Sequence, residues 1–217
     1  NELVTHPALG QYVSKALGVE KVQCWMVQLL HKPPPPPPRV DGSSEPSTSG
    51  SSNAVGWHQD WHYWTEWWRE DSEVATVWIA LSDVTSSSGP LAFYKGSHHL
   101  GYLSDGADFF GDTSKEQLAE MAAALSPDDL PILQEVPLQG ILSPGSFSMH
   151  HRLTVHGSQT NTSTNPRTAI AVHFVTEHCH PLPPSGDDLN SQLNSMMLEG
   201  MLSNPTECPM MWDNRVQ

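Results

Sequence analysis

The stretch from Trp57 to Trp64 contains a histidine and a carboxylate whose spacing suits metal binding. His58 and Asp60 stand two positions apart within the run Trp-His-Gln-Asp-Trp-His-Tyr-Trp. Residues i and i+2 of a β-strand point to the same face. An imidazole and a carboxylate placed in this way can bind one metal ion together, provided that another part of the chain supplies further ligands.

A second histidine and a nearby arginine occur later in the chain. His156 is followed by Gly157 and Ser158, and Arg167 opens the apolar run Thr-Ala-Ile-Ala-Val. If His156 ends one strand and Arg167 begins its antiparallel neighbour, the guanidinium lies near the metal, where it can pair bidentately with the distal carboxylate of a 2-oxo acid. Ser158 adds a hydroxyl donor for the same carboxylate. Two histidines and one carboxylate form the ligand set of non-haem Fe(II) oxygenases.

The composition is strongly acidic. The chain has 217 residues, with 10 Lys plus Arg and 24 Asp plus Glu, which gives a formal net charge of −14. Nucleic acid is therefore not expected as a partner, because no basic surface is available to release its counterions. The phosphates of a CoA thioester are disfavoured for the same reason. No apolar run is long enough to span a membrane, and the length predicts a single domain over residues 1–217.

The three cysteines indicate a reducing compartment. Cys24, Cys179 and Cys208 are odd in number and have no Cys-x-x-Cys spacing, which argues against a disulfide framework or a zinc ribbon. We therefore expect an intracellular location, cytoplasmic by default. No signal peptide is visible. The chain begins at Asn1 rather than at an initiator methionine, as expected of a fragment, so organelle targeting stays open.

Short strands between Gly and Pro turns must position the candidate ligands. Alternating or continuous apolar patterns predict strands at 22–30 (buried), 57–63, 74–81, 91–94, 133–138, 146–151, 153–156 and 168–175. Helical spacing and capping residues predict helices at 6–18, 114–125 and 189–202. Many short strands with few helices predict a barrel, sandwich or jelly roll.

Residues 33–53 have a different composition. Six consecutive prolines, Pro33 to Pro38, precede a tract of Ser, Gly and Thr. Such a segment cannot build a core, so we interpret it as a loop insertion that consists of a stiff polyproline segment and a flexible tract. A second interpretation is that Pro33 to Pro38 bind a proline-recognition module.

With these motifs the chain resembles the phytanoyl-CoA dioxygenase (PhyH) family of Fe(II)/2-oxoglutarate-dependent oxygenases. One motif alone would be weak, whereas five in the same order are specific. The resemblance extends over about residues 9–175, and the matched segments are LHKPP at 30–34, WHQDWHY at 57–63, WIAL at 78–81, SGPL at 88–91 with GSH at 96–98, and HGS at 156–158 with Asn161 and Arg167.

The resemblance implies a mainly β fold with flanking helices around a double-stranded β-helix, that is, a jelly-roll or cupin-like core. The family's N-terminal strand and helix are expected to be missing from this chain. The implied iron ligands are His58, Asp60 and His156. The implied co-substrate is 2-oxoglutarate, with O2 as oxidant and ascorbate as the expected reductant. The residues matched to the 2-oxoglutarate pocket are Arg167, Ser158, Trp78 and, more loosely, Gln28.

Other aromatic and histidine side chains leave two interpretations open. Trp61 and Trp64 are equally consistent with packing of the sheet and with the wall of a substrate cavity. His62 and His151 are candidates for contact with the substrate or with the iron ligands, and ordinary hydrogen bonding is the alternative. The histidines interpreted as ordinary strand, loop or turn residues are His98, His99, His150, His173, His178 and His180.

Three functions are compatible with these residues. The first is hydroxylation of a C–H bond in a small-molecule or lipid-like substrate, with decarboxylation of 2-oxoglutarate to succinate and CO2. The alternative is a catalytically weak or inactive jelly roll that binds metal and 2-oxoglutarate as a sensor or scaffold. Halogenation is disfavoured by Asp60, because related halogenases lack this carboxylate so that a halide can bind the iron. The fold does not determine the substrate.

Overall fold

The predicted strands form two antiparallel sheets. The computed structural model describes residues 2–36, 53–103, 113–185 and 188–214. Its strands are β1 (Lys21–Lys32), β2 (Val55–His58), β3 (Val74–Ala80), β4 (Leu91–Phe93), β5 (Leu138–Gln139), β6 (Phe147–His151), β7 (His156–Ser158), β8 (Arg167–Thr176) and β9 (Met210–Asp213). Its helices are α1 (Pro7–Leu17), α2 (Lys115–Ala122), α3 (Leu130–Gln134) and α4 (Leu189–Ser203), with 3-10 turns at Asp60–Tyr63 and Ser97–Leu100.

Apolar side chains from the two sheets pack against one another in one cluster. The larger sheet has the order β6-β3-β8-β1-β9, and the smaller has the order β2-β7-β4-β5. Trp78 of β3 and Ala171 of β8 pack with Leu91 of β4 in this cluster. Face-to-face packing of two antiparallel sheets is the arrangement of a β-sandwich. The predicted mainly β fold with a double-stranded β-helix core is confirmed.

A bulge in β1 decides which of its side chains reach the space between the sheets. The bulge lies between Cys24 and Met26 and shifts the alternation of inward and outward side chains by one residue. Cys24 therefore packs in the cluster beneath α1, whereas exposed Gln28 and buried Lys32 lie on the opposite side of β1, with Ala171 and Arg167 as their partners in β8.

Helix α1 covers the outer face of the larger sheet, whereas α4 covers part of its inner face, where Val74 and Val175 lie on the same side as Thr76 and His173. Leu9 and Val13 of α1 pack in one apolar cluster with Val22 and Val172 of the sheet. Leu198 of α4 packs in a separate cluster that contains four tryptophans. None of the helices in the described part of the chain is long and apolar enough to cross a membrane.

Several predicted elements differ from the structure. The strand predicted at 133–138 is wrong, because residues 130–134 form α3 with Pro131 in its first turn, and only Leu138–Gln139 pair as a strand. The strand predicted at 57–63 ends at His58, and the one predicted at 153–156 begins only at His156. Strand β9 was not predicted. Val27 and Leu29 are 47% and 71% exposed, so the interpretation of residues 22–30 as buried throughout is wrong.

The Pro- and Ser-rich insertion falls largely outside the described residues, which stop at Pro36 and resume at Asn53. Pro33 to Pro36 have no regular secondary structure. The side-chain amide of Asn53 donates a hydrogen bond of 2.8 Å to the Pro33 carbonyl, which joins the two described ends.

Candidate metal centre and co-substrate pocket

Three side chains from the smaller sheet and from the turn that follows β2 converge at one point. His58, the last residue of β2, is the direct antiparallel partner of His156, the first residue of β7. Asp60 opens the 3-10 turn after β2, so this turn rather than strand alternation directs its carboxylate to the histidines. Its Oδ1 lies 3.8 Å from His58 Nε2 and 3.5 Å from His156 Nε2. Within the described residues this is the one group of three His, Cys, Asp or Glu close enough for a shared metal.

Backbone carbonyls fix the orientation of both imidazoles. His58 Nδ1 lies 2.8 Å from the Gly56 carbonyl oxygen, and His156 Nδ1 lies 2.9 Å from that of Thr154. Because a carbonyl only accepts, each Nδ1 carries the hydrogen and each Nε2 presents its lone pair. Burial lowers the pKa of His58, and burial together with neighbouring histidines lowers that of His156. Both are neutral at pH 7, as metal ligation requires.

The other oxygen of Asp60 is held by two donors. Thr76 Oγ1 donates to Oδ2 at 2.7 Å, and His150 Nε2 lies 3.1 Å from the same oxygen. Burial alone would raise the pKa of Asp60, but His156 and His150 hold it well below its usual value. The carboxylate is therefore ionised, with Oδ2 held by hydrogen bonds and Oδ1 directed at the two imidazoles. Such outer hydrogen bonds orient the ligands of metal sites.

Thr76 of β3 is the middle residue of three that lie side by side on β6, β3 and β8. His150 of β6 and His173 of β8 are its direct partners, and His173 Nδ1 lies 2.9 Å from Thr76 Oγ1. The interpretation of His150 and His173 as ordinary strand residues is wrong, since both belong to the network around Asp60. His151 was one candidate for contact with the substrate or with the iron ligands, and ordinary hydrogen bonding was the alternative. Strand alternation turns His151 outward, with Nε2 3.6 Å from Glu73 Oε2.

A cavity of about 90 Å³ adjoins the three convergent side chains. The structure places at this cavity all seven residues that the sequence suggested for iron and 2-oxoglutarate. They are Gln28, His58, Asp60, Trp78, His156, Ser158 and Arg167.

Arg167 brings a buried positive charge to this cavity. Its Nη1 donates to the Gly89 carbonyl at 2.6 Å, and its guanidinium carbon lies 5.0 Å from the centroid of the Trp78 ring. Its Nε is buried without a hydrogen-bond partner among the described residues. Burial lowers the pKa of Arg167 to about 10, so the side chain remains charged at pH 7. A buried N–H with no acceptor suits an anionic ligand.

Lys32 is a second buried base that the sequence interpretation missed. It is the direct partner of Arg167 in the β1–β8 pairing. Its Nζ donates to Ser158 Oγ at 2.7 Å and to the Gln159 carbonyl at 2.6 Å. Burial, followed by the charge of Arg167, lowers the pKa of Lys32 to about 7. When protonated, Lys32 makes Ser158 Oγ an acceptor and leaves the Ser158 hydrogen for another partner. Its place in the LHKPP motif was the available signal.

A second, larger cavity of about 470 Å³ shares Gln28, Asp60 and His173 with the first. Trp64 lines it, as one interpretation expected. Trp61 lines neither cavity and packs beneath the Arg152 guanidinium, 3.9 Å from its ring centroid. His62 also lines neither, and its Nδ1 lies 2.9 Å from the Tyr102 hydroxyl. The remaining side chains of the larger cavity are Trp25, Met26, Tyr63, Trp67 and Met201.

Comparison with known proteins agrees with these features. The sequence model of the family described as Phytanoyl-CoA dioxygenase (PhyH) matches residues 41–169, more than half of the chain. The chain belongs to the PhyH family. It is 27% identical over 141 residues to an L-proline trans-4-hydroxylase of Streptomyces griseoviridis, covering 59% of this chain and 52% of that protein.

Two further proteins are similar over most of the chain. A probable alpha-ketoglutarate-dependent hypophosphite dioxygenase of Stutzerimonas stutzeri is 26% identical over 178 residues, covering 81% of this chain and 57% of that protein. The solved structure of the epimerase SnoN in complex with Fe3+, alpha ketoglutarate and nogalamycin RO has a TM-score of 0.60 at 19% identity, covering 87% of this chain and 65% of that one. This likeness shows the shared fold. The PhyH-family chain spans about half the length of the two curated relatives.

Gly89 supports the cavity through the carbonyl that binds Arg167, and we expect its replacement by alanine to destabilise the fold. Its φ of 68° disfavours any L side chain, and an added Cβ would overlap the Gln159 carbonyl oxygen and lie 3.0 Å from Lys32 Cδ. Gly96 has a φ of 84° with no atom within 4 Å of an added Cβ. The Gly89→Ala variant should therefore lose roughly 1–3 kcal/mol more free energy of unfolding than Gly96→Ala.

Urea denaturation of the two glycine variants and the unmodified chain measures this difference directly. Because both substitutions add one methyl group at a left-handed backbone position, the comparison isolates the steric overlap from the conformational strain. Equal losses in the two variants would contradict the close approach of Gly89 to the Gln159 carbonyl.

Proposed function

We propose that this PhyH-family chain is an Fe(II)/2-oxoglutarate-dependent dioxygenase that hydroxylates a C–H bond of a small-molecule or lipid-like substrate. 2-Oxoglutarate would be converted to succinate and CO2 in the same reaction. The observation that carries the proposal is the convergence of two neutral imidazole Nε2 atoms and an ionised Asp60 beside a buried Arg167. The family membership and the two curated hydroxylase and dioxygenase relatives support it.

The donor set fits Fe(II) in its chemistry. His58, Asp60 and His156 offer two nitrogen atoms and one carboxylate oxygen, the set typical of non-haem Fe(II) oxygenases with open coordination positions. Fe(II) at this point would supply the redox chemistry that couples O2 and 2-oxoglutarate to oxidation of the substrate. Asp60 favours hydroxylation over halogenation because it occupies the position that a halide would need.

Residues of the chain would position the co-substrate. We assign the distal carboxylate of 2-oxoglutarate to Arg167 Nε and to the Ser158 hydroxyl, with Lys32 holding Ser158 in place. The Trp78 ring packs against the guanidinium and lines the same cavity, which restricts water around the charged pair. Exclusion of water strengthens the interaction of Arg167 with a carboxylate.

Succinate formation is the test of this function. The full chain is incubated with Fe(II), ascorbate and 2-oxoglutarate in air, iron content is measured, and succinate is followed by mass spectrometry. Formation of succinate that depends on Fe(II) and is absent in the Asp60→Ala variant is the expected result. An iron-loaded, folded sample that forms no succinate contradicts the proposal.

A sensor or scaffold that only binds metal and 2-oxoglutarate is distinguished by spectroscopy. Under nitrogen, Fe(II) and 2-oxoglutarate together should give a visible charge-transfer band with either function. A dioxygenase loses this band on exposure to O2 as succinate forms. A binding-only protein keeps the band in air and forms no succinate.

A further inference from the structure

The larger cavity is placed to receive the substrate of the proposed reaction. It has a volume of about 470 Å³ and shares Gln28, Asp60 and His173 with the smaller cavity at the metal centre. A molecule in the larger cavity would therefore approach the metal ligands from the side of Asp60. The chemistry of its walls then indicates what kind of molecule it accepts.

The walls are apolar and mostly aromatic. Trp25, Tyr63, Trp64 and Trp67 line the cavity together with two methionines, Met26 and Met201, and the described lining residues include no lysine or arginine. An anion placed there would lose its hydration without gaining a cationic partner, which is costly. Carboxylates and phosphates are therefore unsuited to this cavity.

The walls are equally unsuited to a cation. The carboxylate of Asp60 already faces two histidines and accepts hydrogen bonds from Thr76 and His150. The tryptophans pack on one another edge to face: Trp25 and Trp64 have ring centroids 5.4 Å apart at 77°. Trp64 meets His173 in the same way at 5.0 Å and 77°. Rings that pack on one another in this way do not form the cage of aromatic faces that binds an ammonium group.

Hydrogen-bond directions show what polar contact the cavity offers. The Thr76 hydroxyl gives its single hydrogen to Asp60, so His173 Nδ1 must donate to Thr76 Oγ1. Burial lowers the pKa of His173 to about 4, and the neutral ring then has no hydrogen on Nε2. In the structure the Gln28 Oε1 atom lies 3.3 Å from that Nε2, and neither atom then has a hydrogen to donate. The Gln28 amide nitrogen must therefore face His173 as donor, by a half-turn of the amide, which leaves the amide oxygen as an acceptor for a ligand.

We propose that the substrate is an uncharged, largely apolar small molecule that donates one hydrogen bond, for example from a hydroxyl group, to Gln28. This inference rests on the proposed function only in calling the ligand a substrate. It excludes any substrate whose anionic group must enter this cavity. It also excludes L-proline and hypophosphite, the compounds in the names of the two curated relatives, because each carries an anionic group.

Three probes of equal ring size test the charge of the ligand. They are 2-naphthalenemethanol (neutral), 2-naphthoate (anionic) and 2-naphthylmethylammonium (cationic). Binding to the full chain is measured by calorimetry under nitrogen with Mn(II) and saturating 2-oxoglutarate, which keeps Arg167 occupied. The alcohol should bind with a Kd at least about tenfold lower than either ion. An ion that binds as tightly as the alcohol, or an alcohol that does not bind, overturns the proposal.

Two variants of α4 test whether the probes bind in this cavity. The Met201→Arg variant adds a cation to the lining and should make naphthoate bind more tightly than the alcohol. Met197 lies on the same helix and is 56% exposed, so Met197→Arg should leave the order of the three probes unchanged. If Met201→Arg leaves the order unchanged as well, the probes bind elsewhere and the proposal fails. Should this variant not fold, the order of the probes on the unmodified chain still decides the charge.

A comparison of two probes, with and without a hydroxyl group, tests the hydrogen bond to Gln28. On the unmodified chain 2-naphthalenemethanol should bind more tightly than 2-methylnaphthalene, which lacks the hydroxyl, and the Gln28→Leu variant should bind both equally. Equal binding on the unmodified chain would remove Gln28 from the proposal. These measurements involve no O2 and no turnover. A failure of succinate formation would therefore overturn the proposed function and leave the class of ligand standing. Conversely, a failure of the binding measurements would overturn the class of ligand and leave the proposed function standing.

Discussion

Replacement of Asp60 by alanine is expected to abolish metal binding and, with it, any turnover of 2-oxoglutarate. The carboxylate is the one charged member of the candidate ligand set, and Thr76 and His150 hold it in place. Loss of residues that merely orient metal ligands typically lowers metal affinity by about 10- to 100-fold, so loss of the ligand itself should cost at least about 100-fold. His58 and His156 alone would leave the metal without a negatively charged protein ligand.

Two measurements separate this loss from misfolding. Calorimetric titration with Mn(II) under nitrogen gives the affinity, and thermal unfolding with and without Mn(II) shows whether the folded state gains stability from the metal. Asp71 provides the matched control, since its carboxylate is exposed and pairs with Arg69 at the surface. The Asp71→Ala variant should keep the metal affinity. An Asp60→Ala variant that unfolds cooperatively and binds Mn(II) as tightly as the unmodified chain would refute the assignment.

The candidate ligands could be found from the sequence because the motifs that contain them are local. His58 and Asp60 are separated by one residue, and the short β2–β7 pairing sets His58 directly opposite His156. The chemistry of imidazole and carboxylate then limits what such a group can do. Even here the sequence led to the wrong local structure, because a 3-10 turn rather than a strand directs Asp60. Residue spacing alone did not distinguish the two.

The supporting histidines could not be chosen without knowledge of strand register. His150 and His151 are adjacent, and only the pairing of β6 with β3 decides that His150 is the partner of Thr76 and faces Asp60. A shift of one residue would exchange the two side chains. His173 reaches the same network through the β3–β8 pairing. These contacts join residues far apart in the sequence.

Two other differences between the predicted and the observed elements have local physical causes. Residues 130–134 are a short apolar run, and such runs do not distinguish a strand from a buried helical turn by periodicity. The proline in the first turn of α3 favoured the helix. The bulge between Cys24 and Met26 reverses the facing of the rest of β1, which exposes Val27 and Leu29 and brings Lys32 beside Arg167. A bulge of this kind leaves no clear signal in an apolar stretch.

Replacement of Arg167 by leucine is expected to lower the affinity for 2-oxoglutarate by roughly 30- to 5,000-fold, because removal of one partner of a buried charge pair costs about 2–5 kcal/mol. The neighbouring buried base, Lys32, cannot replace Arg167 as the partner of the carboxylate. Lys32 is engaged with Ser158 and Gln159, and its pKa of about 7 leaves it only partly charged at neutral pH. A dicarboxylate would then enter the cavity with one carboxylate incompletely neutralised.

The affinity is measured by titrating 2-oxoglutarate into the Mn(II)-loaded protein under nitrogen, a readout that requires no turnover. Arg69 supplies the control, because its side chain is 53% exposed and pairs with Asp71 at the surface, so Arg69→Leu should bind 2-oxoglutarate normally. Affinity for Mn(II) alone should be similar in Arg167→Leu and the unmodified chain, since the described contacts of the Arg167 guanidinium are to the Gly89 carbonyl and the Trp78 ring. If Arg167→Leu bound 2-oxoglutarate normally, the distal carboxylate would have to lie elsewhere in the cavity, with Lys32 as the next group to examine.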